Sequence, residues 1–217
     1  MVPSSSLPPL ICLNTVPAMS SGDSPDRVAG SKFQNARRVL SAQCYQQRWI
    51  LGGLFVYLVL ALGLTWPVIS SPMSQLPLGS ESIATVALSN VWILWWNVDQ
   101  LIPGFGGYWN APIYFPSPGA LAMNEPQPTT LLVAPVIWLT GSRILAYNVF
   151  LWLSLVLNGL FAQRLAKVYG MTPWMGLWMG TAIVLLPIVH WQLGVSHLVP
   201  LWGILWTLSL IHISEPT

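Results

Sequence analysis

WILGGLFVYLVLALGLTWPVI, residues 49–69, contains no charged side chain. Wound as an α-helix, residues 49–66 rise ~27 Å, close to the hydrocarbon thickness of a bilayer. Trp49 and Trp66 stand near its two ends, where an indole ring prefers a membrane–water boundary. Pro67 stops the helix, because it has no N–H to donate. A second run of the same kind, ILAYNVFLWLSLVLNGLFAQ at 144–163, is followed at once by Arg164 and Lys167.

Composition agrees with these two runs. Charged residues are 6% of the chain and apolar ones 54%, whereas a soluble domain carries about 25% charge. So few charges cannot cover a water-facing surface, but they suit one that faces lipid. The chain therefore reads as an all-α integral membrane protein. The net charge of +2 is small, and no basic patch interleaved with aromatic residues suggests nucleic acid.

Residues 1–48 differ from the rest. They are rich in Ser, Pro and Gly and hold Arg27, Lys32, Arg37, Arg38 and Arg48. They read as a largely disordered basic tail, with a short surface helix expected over 33–48. Prolines at 8, 9 and 17 break the only apolar run, so it is a poor signal peptide, and Met19 is a second candidate start. Cys12 and Cys44 match no metal or redox spacing and read as free cytosolic thiols.

Basic flanks stay in the cytoplasm, so Arg48 holds the tail inside and Arg164 with Lys167 ends the second span inside. That places the protein in the inner or plasma membrane, multi-pass, with its N-terminus cytoplasmic. An even number of crossings must separate those flanks. The apolar run 129–140 is shorter than the ~17 residues a span needs and reads as a half-helix or re-entrant piece. Residues 168–214 hold no Asp, Glu, Lys or Arg but are punctuated by Pro173, Pro187, Gly194 and Pro200. The expectation is about four spans, near 49–69, 143–164, 174–190 and 198–210, within a membrane domain covering 49–210. The closing IHISEPT, 211–217, resembles a translated sequencing adapter and reads as a non-native tail on an N-terminal fragment.

The outer loop, 70–142, is too long and too apolar to be a linker. Ile83, Ala87, Val91, Leu94, Val98 and Leu101 recur at helical steps over 82–102. This predicts a helix lying in the outer membrane interface, with Glu81 just before it and favoured by the helix dipole. Asn90, Asn97 and Asp99 make a true crossing there costly. Residues 103–128, PGFGGYWNAPIYFPSPGALAMNEPQP, are too rich in Pro and Gly for regular structure. Irregular backbone near lipid must line protein or a water-filled cavity, so a polar outer cavity is expected. Its candidate carboxylates are Glu81 and Glu125. Arg143 can grip a phosphate. Asn97, Asp99, Trp96, Tyr108, Trp109, His190 and His197 are candidate binding groups, and an interfacial belt explains the aromatic ones equally well. Two histidines alone make a weak metal signal, so no metal ligand is assigned.

The runs LSNVWILWWN, YWNAPIYFPSPGALAMNEPQPTTLLVAP, GSRILAYNVFLWLSLVLNGLFAQRLAK and HWQLGVSHLVPLWGILW, within 65–208, resemble a bacterial branch of the C-class membrane glycosyltransferases. The resemblance implies many transmembrane helices and transfer of a sugar from a polyprenyl-phosphate donor to an acceptor on the outer side of the membrane. It implies an acidic base in the first outer loop, here Glu81, with Arg143 on the departing phosphate. Members of that class usually carry an Asp in a Gly–Asp pair before the Trp-rich helix; here the nearest acid is Glu81, in GSESIATVALSN. A divalent metal is compatible with the resemblance, although no dense carboxylate cluster calls for one. The partners expected are the polyprenyl-phosphate-linked sugar and the bilayer. A lipid or solute transporter, or flippase, and a non-catalytic membrane scaffold are the alternative readings.

Overall fold

The computed structural model describes residues 45, 47–114 and 116–214, all within the unit Tyr45–Thr217. Expectations for the tail before Tyr45, including Cys12, Cys44 and most of the 33–48 helix, and for 215–217 fall outside the described residues. Among the described residues every regular element is helical. Three helices are long and apolar enough to cross a membrane: Gln47–Leu64, Arg143–Val168 and Pro173–Trp191. We label the elements α1 (Gln47–Leu64), α2 (Thr85–Asp99), α3 (Ala134–Thr140), α4 (Arg143–Val168), α5 (Pro173–Val184), α6 (Pro187–Trp191) and α7 (Trp202–Ser214).

The longest helix, α4, is the axis of the fold. Ser142 caps it, its side chain accepting from the Leu145 N–H. Its apolar positions pack in one cluster with Tyr57 and Ala61 of α1, Leu94 of α2 and Val184 of α5. Between apolar helices in lipid, close packing rather than water exclusion drives association, and small residues permit it. Gly159 and Gly180 do this against Tyr57. A Cβ at Gly159 would meet the Tyr57 ring at 2.6 Å, and one at Gly180 would meet the Gly159 carbonyl at 2.6 Å.

α4 also carries a ladder of polar side chains that reach its neighbours, most of them to irregular backbone. Tyr147 donates to the Leu193 carbonyl at 3.1 Å. Asn148 donates to the carbonyls of Pro72 and Gln75, both at 2.8 Å. The Trp152 indole donates to Thr65 Oγ1 at 2.8 Å. Asn158 donates to the Val199 carbonyl and accepts from the Leu201 and Trp202 N–H groups, each at 2.8 Å. Gln163 donates to the Trp49 carbonyl at 3.1 Å.

These bonds set the direction of each neighbour. α1 runs antiparallel to α4, with Trp49 beside Gln163 and Thr65 beside Trp152. The basic flanks Arg48 and Arg164 with Lys167 therefore lie at one end of the bundle, as the charge count requires. Trp174 at the start of α5 meets Trp49 at that same end, ring to ring at 6.1 Å.

The third expected span, 174–190, is interrupted. α5 ends at Val184 and α6 begins with Pro187 as its first residue. Proline cannot donate to the preceding turn, so the helix breaks and restarts. The fourth element differs more. Residues 192–201 contain only a short 3-10 turn, Ser196–Leu198, and α7 is 13 residues long, or ~20 Å. Its described residues, which run to Ser214, are by themselves fewer than a span requires. The Asn158 amide stands where that helix begins and takes the orphan N–H groups of its first turn.

α2 begins at Thr85, with Ala84 at its N-cap and no acidic residue in its first turn. Glu81 is thus separated from the helix start, and the expected dipole interaction is replaced by a loop position. The stripe Ala87, Val91, Leu94 and Val98 is buried as expected, but Asn90, Asn97 and Gln100 are buried too. Ile83, assigned to that stripe, lies before the helix and is exposed. Pro128–Val133 is a 3-10 turn leading into the seven-residue α3, which Gly141 closes in the left-handed conformation. The run 129–140 is a short helical piece, as its length demands.

Candidate functional site

The loop 103–128 is held against α2 by Asn90, Trp96 and Asn97. Asn97, 1% exposed, donates to the carbonyls of Pro126 and Gln127 at 2.6 and 3.1 Å and to Thr130 Oγ1 at 2.9 Å. Its own carbonyl accepts from the Tyr108 hydroxyl at 2.7 Å. The Tyr108 carbonyl in turn accepts from the Trp96 indole at 3.0 Å. Burial pushes the Tyr108 phenol above its ordinary value of 10.0. Trp92 and Trp96 stack at 5.7 Å, and Trp109 meets Tyr108 edge-on at 5.2 Å while half its surface stays exposed.

Gln127 lies between Pro126 and Pro128 with φ +46, a left-handed conformation that a residue with a Cβ adopts only under constraint. The constraint is visible. Its carbonyl accepts from Asn97 and from Thr130 Oγ1, and its side chain is buried in a network reaching the far side of the chain.

That network has a defined sense. The Gly194 carbonyl can only accept, so the Asn90 amide nitrogen, at 3.2 Å, donates to it. The Asn90 oxygen is then an acceptor, and Gln127 Nε2 donates to it at 2.6 Å. Ser196 donates to Gln127 Oε1 at 3.0 Å. The second Gln127 amide hydrogen faces His197 Nδ1 at 3.3 Å, so Nδ1 accepts. The His197 proton is therefore on Nε2, and Nε2 lies 2.5 Å from Glu125 Oε2. A chain of amides starting at one backbone carbonyl thus selects the tautomer that presents an N–H to the carboxylate.

Chemically the result is an oriented carboxylate–imidazole pair at the lip of an irregular loop. The Glu125 side chain is 59% exposed and that of His197 27%, so the pair is reachable while its support is buried. Such a pair can take a proton from a hydroxyl and return it.

The other expected site residues are distributed around it. Glu81 packs beside Gly194: a Cβ there would meet the Glu81 Cγ at 3.1 Å and the Leu78 carbonyl at 2.5 Å. Both candidate carboxylates thus rest on the segment 190–197. Arg143 lies over the Trp95 ring, its guanidinium carbon 4.0 Å from the centroid. Asp99 is exposed and accepts from Gln100 at 3.4 Å, apart from the network. His190 meets the Val184 carbonyl through Nε2 at 3.1 Å. Among the described residues no three His, Cys, Asp or Glu side chains converge on one point.

Asn90, Gln127, Thr130 and Ser196 were absent from the sequence-derived set. Their signal was present for Gln127, a lone amide between two prolines, and for Asn90, a polar residue inside an apolar helix. Ser196 carried none. No family model matches the chain, and no curated protein or solved structure matches it either.

Proposed function

We propose that this protein is a membrane glycosyltransferase that moves a sugar from a polyprenyl-phosphate donor to an acceptor on the outer side of the membrane. The observation that supports it is the Glu125–His197 pair, 2.5 Å apart, on the loop at the end of the bundle away from Arg48 and Arg164. In this reading Glu125 takes the proton of the acceptor hydroxyl as that oxygen bonds to the sugar C1. The C1–O bond to phosphate breaks, and its electron pair leaves on the polyprenyl phosphate. His197 Nε2–H holds the carboxylate in place. Arg143 balances the phosphate charge, and Tyr108 with Trp109 stacks on the sugar. Glu81, beside Gly194, is the second carboxylate available as base.

The same reading sets the topology. The basic tail is cytoplasmic, the loop 70–142 lies outside, and 192–201 with α7 makes the fourth crossing of a cell-membrane protein. The test is transfer of labelled sugar from polyprenyl-phosphate donors in vesicles that hold the full chain. Transfer should fall at least ~100-fold in Glu125→Gln. Loss in Glu81→Gln with full transfer in Glu125→Gln would move the base to Glu81. No transfer from any donor by correctly inserted protein would end the reading.

One observation favours a transporter instead: irregular backbone runs beside α4 from the level of Tyr147 to that of Asn158, as in the broken helices of transporters. Donor-independent uptake of a lipid or solute into the same vesicles would select that function.

A further inference from the structure

A cleft of about 640 Å³ opens where α1 ends, between residues 64–68, residues 75–79 and the turn carrying His190 and Leu193. Neither Glu125 nor His197 lines it, so it is separate from the pair described above. Its floor is apolar, from Leu64, Val68, Leu76 and Leu193. Its wall holds no Asp, Glu, Lys or Arg.

Thr65, Gln75, His190 and the Trp66 indole bring polar groups to this surface, and the Thr65 hydroxyl is already engaged, donating to the Ala61 carbonyl at 2.9 Å and accepting from the Trp152 indole at 2.8 Å. Gln75 lines the cleft, and its side-chain amide has no hydrogen-bonding partner among the described residues. His190 lines it as well, and its Nε2 meets the Val184 carbonyl at 3.1 Å. A carbonyl only accepts, so Nε2 carries the proton, and in the neutral ring Nδ1 keeps its lone pair. Nδ1 has no partner among the described residues. An anionic headgroup in this cleft would lose water with no fixed cation to replace it, which is costly. A hydroxyl would meet a waiting acceptor.

We propose that this cleft binds an uncharged amphiphile headed by a hydroxyl group, which donates to His190 Nδ1 while its apolar tail lies on Leu64, Val68 and Leu193. The site stands independently of sugar transfer, because it is read by binding alone.

The experiment uses the full chain in phosphatidylcholine nanodiscs and a diazirine-bearing long-chain alcohol as photoprobe. Labelled residues are mapped by mass spectrometry, with the alcohol, its methyl ether and its phosphate monoester as competitors. Labelling should fall within 64–79 and 190–193. The ether, which cannot donate, and the phosphate should compete about tenfold more weakly than the alcohol, the loss of one hydrogen bond. His190→Phe keeps an aromatic ring of similar size and has no acceptor, so it should lower labelling about tenfold in a folded protein. Leu76→Trp, which fills the cleft and leaves His190 in place, should abolish it. Equal competition by alcohol and ether, stronger competition by the phosphate, labelling unchanged in folded His190→Phe, or labelling spread over the lipid-facing helices would each overturn the proposal.

Discussion

His197 Nε2 lies 2.5 Å from Glu125 Oε2, and the proton between them is placed there by Gln127, whose amide faces the opposite ring nitrogen at 3.3 Å. The carboxylate sits on the Pro-rich loop and the imidazole on the segment after α6, so this pair joins two irregular stretches. Its orientation is set from beneath, by buried amides, rather than by its own exposed side chains.

Replacing Gln127 with Ala therefore should reach further than its size suggests. The Asn90 oxygen loses its donor and Ser196 loses its acceptor, both inside a buried region. Each unsatisfied group costs about 1–3 kcal/mol. Chemical unfolding in detergent should show a loss of that order. If the pair supports catalysis, activity should fall beyond the stability effect, because the His197 tautomer is no longer selected. Unchanged stability would mean that water replaces the amide without cost.

Asn158→Leu keeps volume and removes every polar contact. It leaves the Leu201 and Trp202 N–H groups and the Val199 carbonyl without their partner. The expected loss is again about 1–3 kcal/mol for each group left unpaired. Hydrogen exchange should quicken at residues 201 and 202 while α5 stays protected. Uniform exchange across all helices would place Asn158 in the global core instead of at a local cap.

Close packing at Tyr57 predicts an overpacking effect. Gly159→Ala brings a Cβ to 2.6 Å from the ring, which costs about 1–3 kcal/mol in a packed interior. A second change, Tyr57→Val, should recover part of that loss. The double-mutant cycle measures the coupling, and strict additivity would show that the two do not touch in the folded protein.

The Tyr108 phenol has its pKa raised by burial. A proton bound more tightly in the folded state contributes stability below the unfolded value of about 10. That contribution is lost as pH rises above this value, through the folded pKa. Unfolding of the parent should therefore steepen at alkaline pH relative to Tyr108→Phe, which has no phenol to ionise. Parallel curves for the two proteins would remove Tyr108 as the source of alkaline sensitivity.

Parts of this structure were legible from residue order alone. The uncharged runs at 49–69 and 144–163 announced α1 and α4 because a helix must satisfy its backbone within lipid. The clustering of Arg48, Arg164 and Lys167 foretold that those helices run antiparallel. Pro187 lay inside an expected unbroken span, 174–190, which the structure interrupts before α6. The site was legible only in pieces. Glu125, His197, Asn97 and Tyr108 were candidates because polar groups are scarce here, yet nothing in the spacing of 125 and 197 paired them. Glu81 was placed at a helix start that the chain delays to Thr85, since local periodicity does not locate a helix end.

The sequence by itself determined that this is a membrane-class helical protein, where its two uncharged spanning runs at α1 and α4 lie, and which few polar residues are available for chemistry. Hydropathy, helical rise and charge counting act locally, and they need no knowledge of what packs against what. Only the tertiary structure decided that α4 would turn its Tyr, Asn and Trp side chains toward the irregular segments and its Gln163 toward α1. It alone decided that Gln127 would select the His197 tautomer, and that α7 would start at Trp202 against the Asn158 amide of α4. Those outcomes depend on pairing donors with acceptors across long stretches of chain, and a hydrogen bond has no signature in either partner until the fold brings them within 3 Å.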